Sequence, residues 1–382
     1  MSWKQTDAMH ERHTFIADYQ SGLYSITELA ERYSISRKTA HKWINRFEAE
    51  GSDGLCERSR APKSCPHRTD QQLGELFVQL RRAHPSWGSR KLREVLRRKH
   101  PALVLPAAST IDTILARHRL LEPRRRQRRR MSHPGSAPLQ AECANAVWCI
   151  DFKGEFRLGN GAYCYPLTIT DAYSRYILCC DALANTGHGD TQRRMQRVFQ
   201  EYGLPAAIRS DNGVPFTSQA LGGLSRLNVW WMKLGIIHQR IRPAHPQENG
   251  RHERMHRTLK AETTRPPAQT IGAQQRRFSQ WRRQFNQDRP HQAIAYACPA
   301  RLYLPSLQRY PSRLPEPQYD SHCEVRRVST AGAIRFANTQ IFLSSVLAGE
   351  HIGLEEIDDG IWNVLFFDHV LGRLDQPSGH IV

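Results

Sequence analysis

The chain has 382 residues, 39% of them apolar, and a formal net charge of +19. No uninterrupted apolar run approaches the roughly 20 residues that cross a bilayer. The polar start MSWKQTDAMHERH is no signal peptide, so a soluble cytoplasmic protein of about two to four domains is expected.

The charge excess points to a polyanionic partner, above all nucleic acid. It is uneven: from Glu324 onward eight acidic residues face four arginines, so the C-terminal segment is not the main polyanion-holding surface. The nine cysteines form no CxxC pair and no finger-like Cys/His cluster, which speaks against structural zinc and disulfides. Several sit in apolar β-like runs, where a free Cys is a small core residue.

In chain order, residues 1–58 read as a helix-turn-helix domain. A first helix around Met9–Tyr19 ends near Gly22, and Ser25-Ile26-Thr27-Glu28 is a capping box for a second. Ser36 caps a third, whose Ala40, Trp43, Ile44 and Phe47 recur at helical spacing. Arg37, Lys38, His41 and Lys42 fall on its outward face at the start, where a recognition helix meets base edges and phosphates. A Gly-, Ser- and Pro-rich linker leads to a second helix-turn-helix-like domain at 68–122. It has a helix through Leu76 and Leu80, a break at Trp87-Gly88, a helix through Leu92, Val95 and Leu96, and a last helix capped by Ser109. Residues 123–140 form a basic linker carrying Arg124, Arg125, Arg126, Arg128, Arg129 and Arg130, an extended phosphate-binding segment.

From Ala146 the period becomes that of strands. VWCIDFKGEF, YCYPLTITDA and SRYILCCDAL make three consecutive strand-like runs. A helix at about Asp190–Tyr202, the short strand AAIRSD, a helix around Gln219–Leu234, the strand GIIHQRI and the helical stretch HPQENGRHERMHRTLK follow. This succession makes a mixed α/β sheet flanked by helices, the domain at 141–298. A Pro-rich connector at 299–320 precedes short turn-separated strands at 321–382, which suit a small β-barrel.

Phosphodiester chemistry with two divalent metals needs carboxylates converging on ions about 3.5–4 Å apart. Asp151 follows the apolar run Val147-Trp148-Cys149-Ile150, and an acid in such a strand needs a partner or a metal. Asp211 ends a short strand before Asn212-Gly213, where neighbouring strands bring it towards Asp151; a turn-forming role explains it equally well in isolation. Two glutamates, Glu248 and Glu253, compete in the helical stretch beyond. Glu155 lies about 13 Å along the strand from Asp151, too far to share a metal. Asp171 suits a structural turn, and His245, His252 and His256 suit phosphate or base contacts. His252-Glu253-Arg254-Met255-His256 also satisfies the HExxH zinc-protease pattern, with Glu253 as general base.

WCIDFKGEF, TDAYSRYIL, IRSDNGVPFTS and HPQENGRHERMHRTLKAE, in this order, resemble the integrase core of bacterial insertion-sequence transposases, relatives of retroviral integrases. The helical units before it and the β domain after it match the layout of one such group, without the retroviral zinc-binding N-terminal domain. The resemblance implies a multidomain protein with a ribonuclease-H-like core built on a mixed five-stranded sheet. It also implies a DDE-type catalytic and metal-binding set of two aspartates, Asp151 and Asp211, and one glutamate, with Mg²⁺ or Mn²⁺. The reaction implied is strand cleavage at the element's ends and strand transfer into target DNA. Spacing alone favours Glu248, with 36 residues after Asp211 against 41 for Glu253. Motif register favours Glu253: Pro246-Gln247 and Asn249-Gly250 precede it, and Lys260 follows seven positions later on the same helical face, placed for DNA phosphate. The partners implied are double-stranded DNA, both terminal inverted repeats and target, and a second copy of the chain at least. Nucleoid association follows when DNA is bound. The rival readings are a DNA-binding regulator with a silent core and the zinc protease.

Overall fold

The computed structural model describes residues 7–59, 69–121, 141–218, 221–241 and 250–381. The six linker arginines from Arg124 to Arg130, His245 and Glu248 lie outside these residues. The chain divides into two compact units, Met1–Thr69 and Asp70–Val382.

The first unit packs α1 (Ala8–Gln20), α2 (Ile26–Arg32) and α3 (Arg37–Glu50) around Phe15, Ile16, Leu29, Ala40, Trp43, Ile44 and Leu55. The Ser25–Glu28 capping box forms in full, and Ser36 Oγ accepts from the Thr39 N–H at 3.2 Å. Both caps satisfy helix-end donors that would otherwise lack partners. Arg12 donates to the Leu55 carbonyl at 2.8 Å and stacks over Trp43, 3.9 Å from its ring centre.

The second unit opens with α4 (Gln71–Ala83), α5 (Ser89–Lys99) and α6 (Ala108–Arg117), whose apolar faces meet at Phe77, Trp87, Leu92, Leu96, Ile111 and Leu115. Ser109 does not cap α6 as the sequence suggests. The cap position is Ala107, with no side-chain bond, and Ser109 already lies inside the helix.

The sheet that follows comprises β1 (Val147–Phe152), the two-residue β2 (Phe156–Arg157), β3 (Tyr163–Asp171) and β4 (Ile177–Leu183). After α7 (His188–Tyr202) come β5 (Ala207–Ser210), α8 (Arg226–Lys233) and β6 (Ile237–Arg240). Gly154, at φ +79°, breaks the single run expected through VWCIDFKGEF into β1 and β2. The five main strands run β4-β3-β1-β5-β6, antiparallel up to β1 and parallel from β1 onward. This is the mixed, ribonuclease-H-like arrangement expected. One face buries Trp148, Ile150, Leu167, Phe199 and Trp231. The other receives α9 (Gly250–Thr263) and α10 (Ile271–Gln287) through Met255, Leu259, Phe278, Trp281 and Phe285, against Cys164, Ile177 and Cys180.

Glu262, late on α9, ties the helices of this unit together. It takes the Trp281 indole N–H at 2.7 Å, the Arg289 guanidinium at 2.9 and 3.1 Å, and the Ser86 hydroxyl from the turn between α4 and α5.

The C-terminal segment carries β7 (Glu324–Arg327), β8 (Ala333–Phe336), β9 (Thr339–Phe342), β10 (His351–Asp358), β11 (Ile361–Phe366), β12 (His369–Asp375) and β13 (His380–Ile381). Its strands do not close into the expected barrel. A five-stranded antiparallel sheet runs β13-β12-β11-β10-β7, and β8 and β9 pair only with each other. Closure would require β7 or β13 to bond onward, whereas the two sheets instead bury Val328, Ile334, Phe336, Leu354, Val364 and Phe366 between them. Val229 of α8 joins this core, and Lys233 pairs with Glu350 at 2.8 Å. Among the described residues no helix is long and apolar enough to cross a membrane.

Candidate active site

Strand register brings the first two acids near one another. β1 and β5 run parallel and pair as far as Cys149 opposite Arg209, so Asp151 and Asp211 each follow two residues beyond the last pair, near enough for the Asp211 charge to act on Asp151. Asp211 lies just past the end of β5, exposed, and its Oδ1 accepts from the Gly213 N–H at 3.1 Å. It therefore makes the turn that the sequence allowed, within electrostatic reach of Asp151. Glu253 sits exposed in the first turn of α9, and Lys260 is exposed two turns later.

Electrostatics link the three acids. The Asp151 side chain is 19% exposed, and its carboxyl is pushed up to about 7, first by burial and then by the charge of Asp211, with a smaller push from Glu253. The Lys153 ammonium, two residues on and just past the end of β1, pulls the other way. This is the pattern of like charges crowded in a poorly solvated place, where the neutral form gains.

The helix α9 divides its residues cleanly. Glu253, Arg254, Arg257 and Lys260 face outward, while His252, Met255, His256 and Leu259 are buried. The two histidines, 3% and 4% exposed, are therefore not the phosphate or base contacts that the sequence suggested. His252 Nε2 and His256 Nε2 each lie 2.7 Å from Thr168 Oγ1, and His252 Nδ1 lies 2.9 Å from Thr170 Oγ1. Thr168 Oγ1 is also 3.1 Å from the Asp151 carbonyl oxygen, which accepts its single hydrogen. Both imidazoles then donate from Nε2, Thr170 donates to the bare His252 Nδ1, and the bare Nδ1 of His256 faces Asp151 Oδ2 at 3.6 Å. Burial holds the two rings neutral, His252 near 3 and His256 near 2.

Ligand atoms of Asp151, His252 and His256 do lie within 4.8 Å of one another. The HExxH reading nevertheless meets an obstacle, because both nitrogens of His252 are already bonded to threonine hydroxyls and Glu253 points away from the pair. A zinc protease needs both imidazoles open to the metal.

Asp171 takes the structural role its surroundings suggested. It is fully buried and accepts from the Ser174 N–H and hydroxyl at 2.7 and 2.6 Å and from the Asn145 N–H at 2.8 Å. Glu155 is exposed beyond the end of β1. Thr168, Thr170 and Lys153 escaped sequence reading. Only Lys153 left a trace there, since residues two apart on a strand share a face.

In the first unit Arg37, Lys38, His41 and Lys42 are all exposed on the first turns of α3, with the Lys42 ammonium 4.5 Å from the Trp43 ring centre.

Comparison with known proteins agrees with this layout. Integrase core domain models match residues 141–246 and 234–299; a helix-turn-helix domain model matches 11–63 and a homeodomain-like model 39–115. The insertion element IS476 uncharacterized 39.2 kDa protein of Xanthomonas euvesicatoria is 27% identical over 277 residues, 71% of this chain and 76% of that protein. The Pol polyprotein of feline endogenous virus ECE1 is 34% identical over 124 residues, 32% of this chain and only 11% of the polyprotein. Among solved structures, a chain of the simian T-cell lymphotropic virus intasome aligns at a TM-score of 0.39 and 14% identity, over 76% of this chain and 96% of its own. Residues 141–299 thus match an integrase core domain, and most of the chain is similar to an insertion-element protein.

Proposed function

We propose that the chain is a DNA transposase that cuts DNA strands at the ends of its element and joins them to target DNA, using Asp151, Asp211 and Glu253 with Mg²⁺ or Mn²⁺. The observation that carries the reading is the integrase core match over residues 141–299, within which Asp151 lies on β1, Asp211 just past the end of β5 and Glu253 on α9. Asp151 and Asp211 on the sheet and Glu253 on α9 offer oxygen-only donors, the kind that suits a hard divalent cation. Such ions, when bound, polarise the scissile phosphate and stabilise the attacking and leaving oxygens of an in-line displacement.

The chain's own part is positioning. Asp151 is fixed by strand β1, Asp211 by its turn onto Gly213, and Glu253 by α9. Lys260 places a cation beyond Glu253 for backbone phosphate. In the first step water oxygen attacks phosphorus and a 3′ oxygen leaves, taking up a proton as a free 3′-OH. In the second, that hydroxyl oxygen attacks a target phosphorus and displaces another 3′ oxygen. No side chain forms a bond to phosphorus in either step. The outward face of α3, with Arg37, Lys38, His41 and Lys42, reads the terminal repeats, and pairing two ends calls for at least two copies of the chain.

The test is cleavage and joining of an element-end oligonucleotide with Mg²⁺. Asp151→Asn, Asp211→Asn and Glu253→Gln should each lose activity by at least about a hundredfold, while Glu248→Gln stays near wild type. Activity retained in Asp151→Asn overturns the mechanism. Loss in Glu248→Gln with retention in Glu253→Gln transfers the third ligand to Glu248.

A further inference from the structure

Four buried polar side chains beside Asp151 have no part in the proposed chemistry, yet they join β3 and α9 around it. We propose that Thr168, Thr170, His252 and His256 form a clamp that fixes the Glu253 helix against the Asp151 strand and thereby sets the separation of the two carboxylates. The inference rests on the reading of Asp151 and Glu253 as metal ligands, and it makes these four side chains positioning residues.

The geometry is specific. Thr168 pairs directly with Asp151 across β1 and β3, and its hydroxyl is bonded to the Asp151 carbonyl at 3.1 Å. The same oxygen takes the Nε2 of both histidines at 2.7 Å, and Thr170, two residues along β3, holds the other nitrogen of His252 at 2.9 Å. The histidines stand four residues apart, so one helical face presents both rings to the sheet, centres 4.5 Å apart and edge-on. His252 immediately precedes Glu253, whose Cα is therefore only about 3.8 Å from that of His252.

Apolar packing alone would not achieve this. Met255 and Leu259 seat α9 on Cys164, Ile177, Cys180 and Phe278, but such contacts are non-directional and tolerate a small slide of the helix. Metal ligands have to be held within about 0.5 Å of their working places. Hydrogen bonds at 2.7–2.9 Å from the helix to the strand next to Asp151 supply that directional restraint. Their exclusion from solvent, with Thr168 0% and Thr170 8% exposed, keeps water from replacing them.

The decisive variant is Thr168→Val, which keeps the shape and removes the hydroxyl, compared with Thr168→Ser, which keeps the hydroxyl. The readouts on the full-length chain are Mn²⁺ affinity by electron paramagnetic resonance, which needs no turnover, and the Mg²⁺ concentration giving half-maximal oligonucleotide cleavage. Thr168→Val should weaken both by about tenfold or more, the usual effect of losing a group that orients a ligand, while Thr168→Ser stays within about twofold. If circular dichroism shows that Thr168→Val does not fold, Thr170→Val carries the test. It deletes one bond, to His252 Nδ1, and should weaken Mn²⁺ about fivefold. A folded Thr168→Val or Thr170→Val with wild-type Mn²⁺ affinity overturns the clamp, as does a Thr168→Ser variant as impaired as Thr168→Val. Wild-type Mn²⁺ affinity in Asp151→Asn instead overturns the assignment of the site itself, which separates the two failures.

Discussion

Replacing Asp151 by asparagine should make the metal-free protein more stable at neutral and alkaline pH, although it removes a proposed catalytic group. The carboxyl moves from its ordinary 3.8 to about 7 in the folded chain because burial and the charges of Asp211 and Glu253 penalise ionisation. Its protonated form is therefore the one the fold prefers. The stabilisation this gives is complete below the unfolded value near 4, declines as pH rises, and is gone once pH passes about 7. Above that point the folded state holds an ionised carboxylate at a cost of about three pH units, or ~4 kcal/mol. Asparagine occupies the same space without the charge. At about pH 8, in chelator, Asp151→Asn should raise the melting temperature of the core's unfolding transition by on the order of 10 °C. At about pH 4.5 the difference should shrink to ~1 kcal/mol. All other titrating groups are common to both proteins, so the difference reports Asp151 together with its coupling to Asp211 and Glu253. Adding Mg²⁺ at pH 8 should stabilise the wild type and not the variant, closing the gap by mass action. Calorimetry or thermal denaturation followed by circular dichroism reads the effect. A variant no more stable than wild type at pH 8, or a gap that does not change with pH, refutes the idea that burial and the neighbouring acids penalise the Asp151 carboxylate.

Two further outcomes follow from other parts of the molecule. Glu262→Ala leaves the 8%-exposed Arg289 and the Trp281 indole without their partner, and denaturant unfolding should show a loss of about 3 kcal/mol; a loss below about 0.5 kcal/mol would mean the hub is solvated. Arg37→Ala with Lys38→Ala, both on the exposed start of α3, should weaken binding to duplex DNA and lower the slope of log affinity against log salt by about two. An unchanged slope in a titration would move the DNA contact off this helix.

Local signals wrote much of the architecture in advance. The capping box at Ser25–Glu28, the cap at Ser36 and the apolar spacing of Ala40, Trp43 and Ile44 are short-range features, and the helices begin and bury accordingly. Where the local signal was thin, the reading slipped: Ser109 did not cap α6, and turn-separated strands at the C-terminus did not reveal that they form two open sheets. Barrel closure depends on which strand edges meet, a non-local matter that alternation and turn residues do not encode.

The acidic set shows the same division. An aspartate inside the apolar run of β1, a second at the end of β5 and a glutamate in a helical stretch are visible residue by residue in the sequence. That Asp151 and Asp211 come near one another was decided by the parallel pairing of β1 with β5, which brings together segments sixty positions apart. The histidines make the point most sharply. HERMH by itself reads as a metal motif and, beside DNA, as a set of phosphate contacts. The sheet settles their surroundings otherwise: α9 lies with His252 and His256 inward, onto Thr168 and Thr170 of a strand whose threonines carry no signal of their own. Periodicity gives a helix its two faces. Only the packed neighbours decide what the buried face must bond to, because a buried imidazole has to find its partners among whatever groups the fold brings within reach.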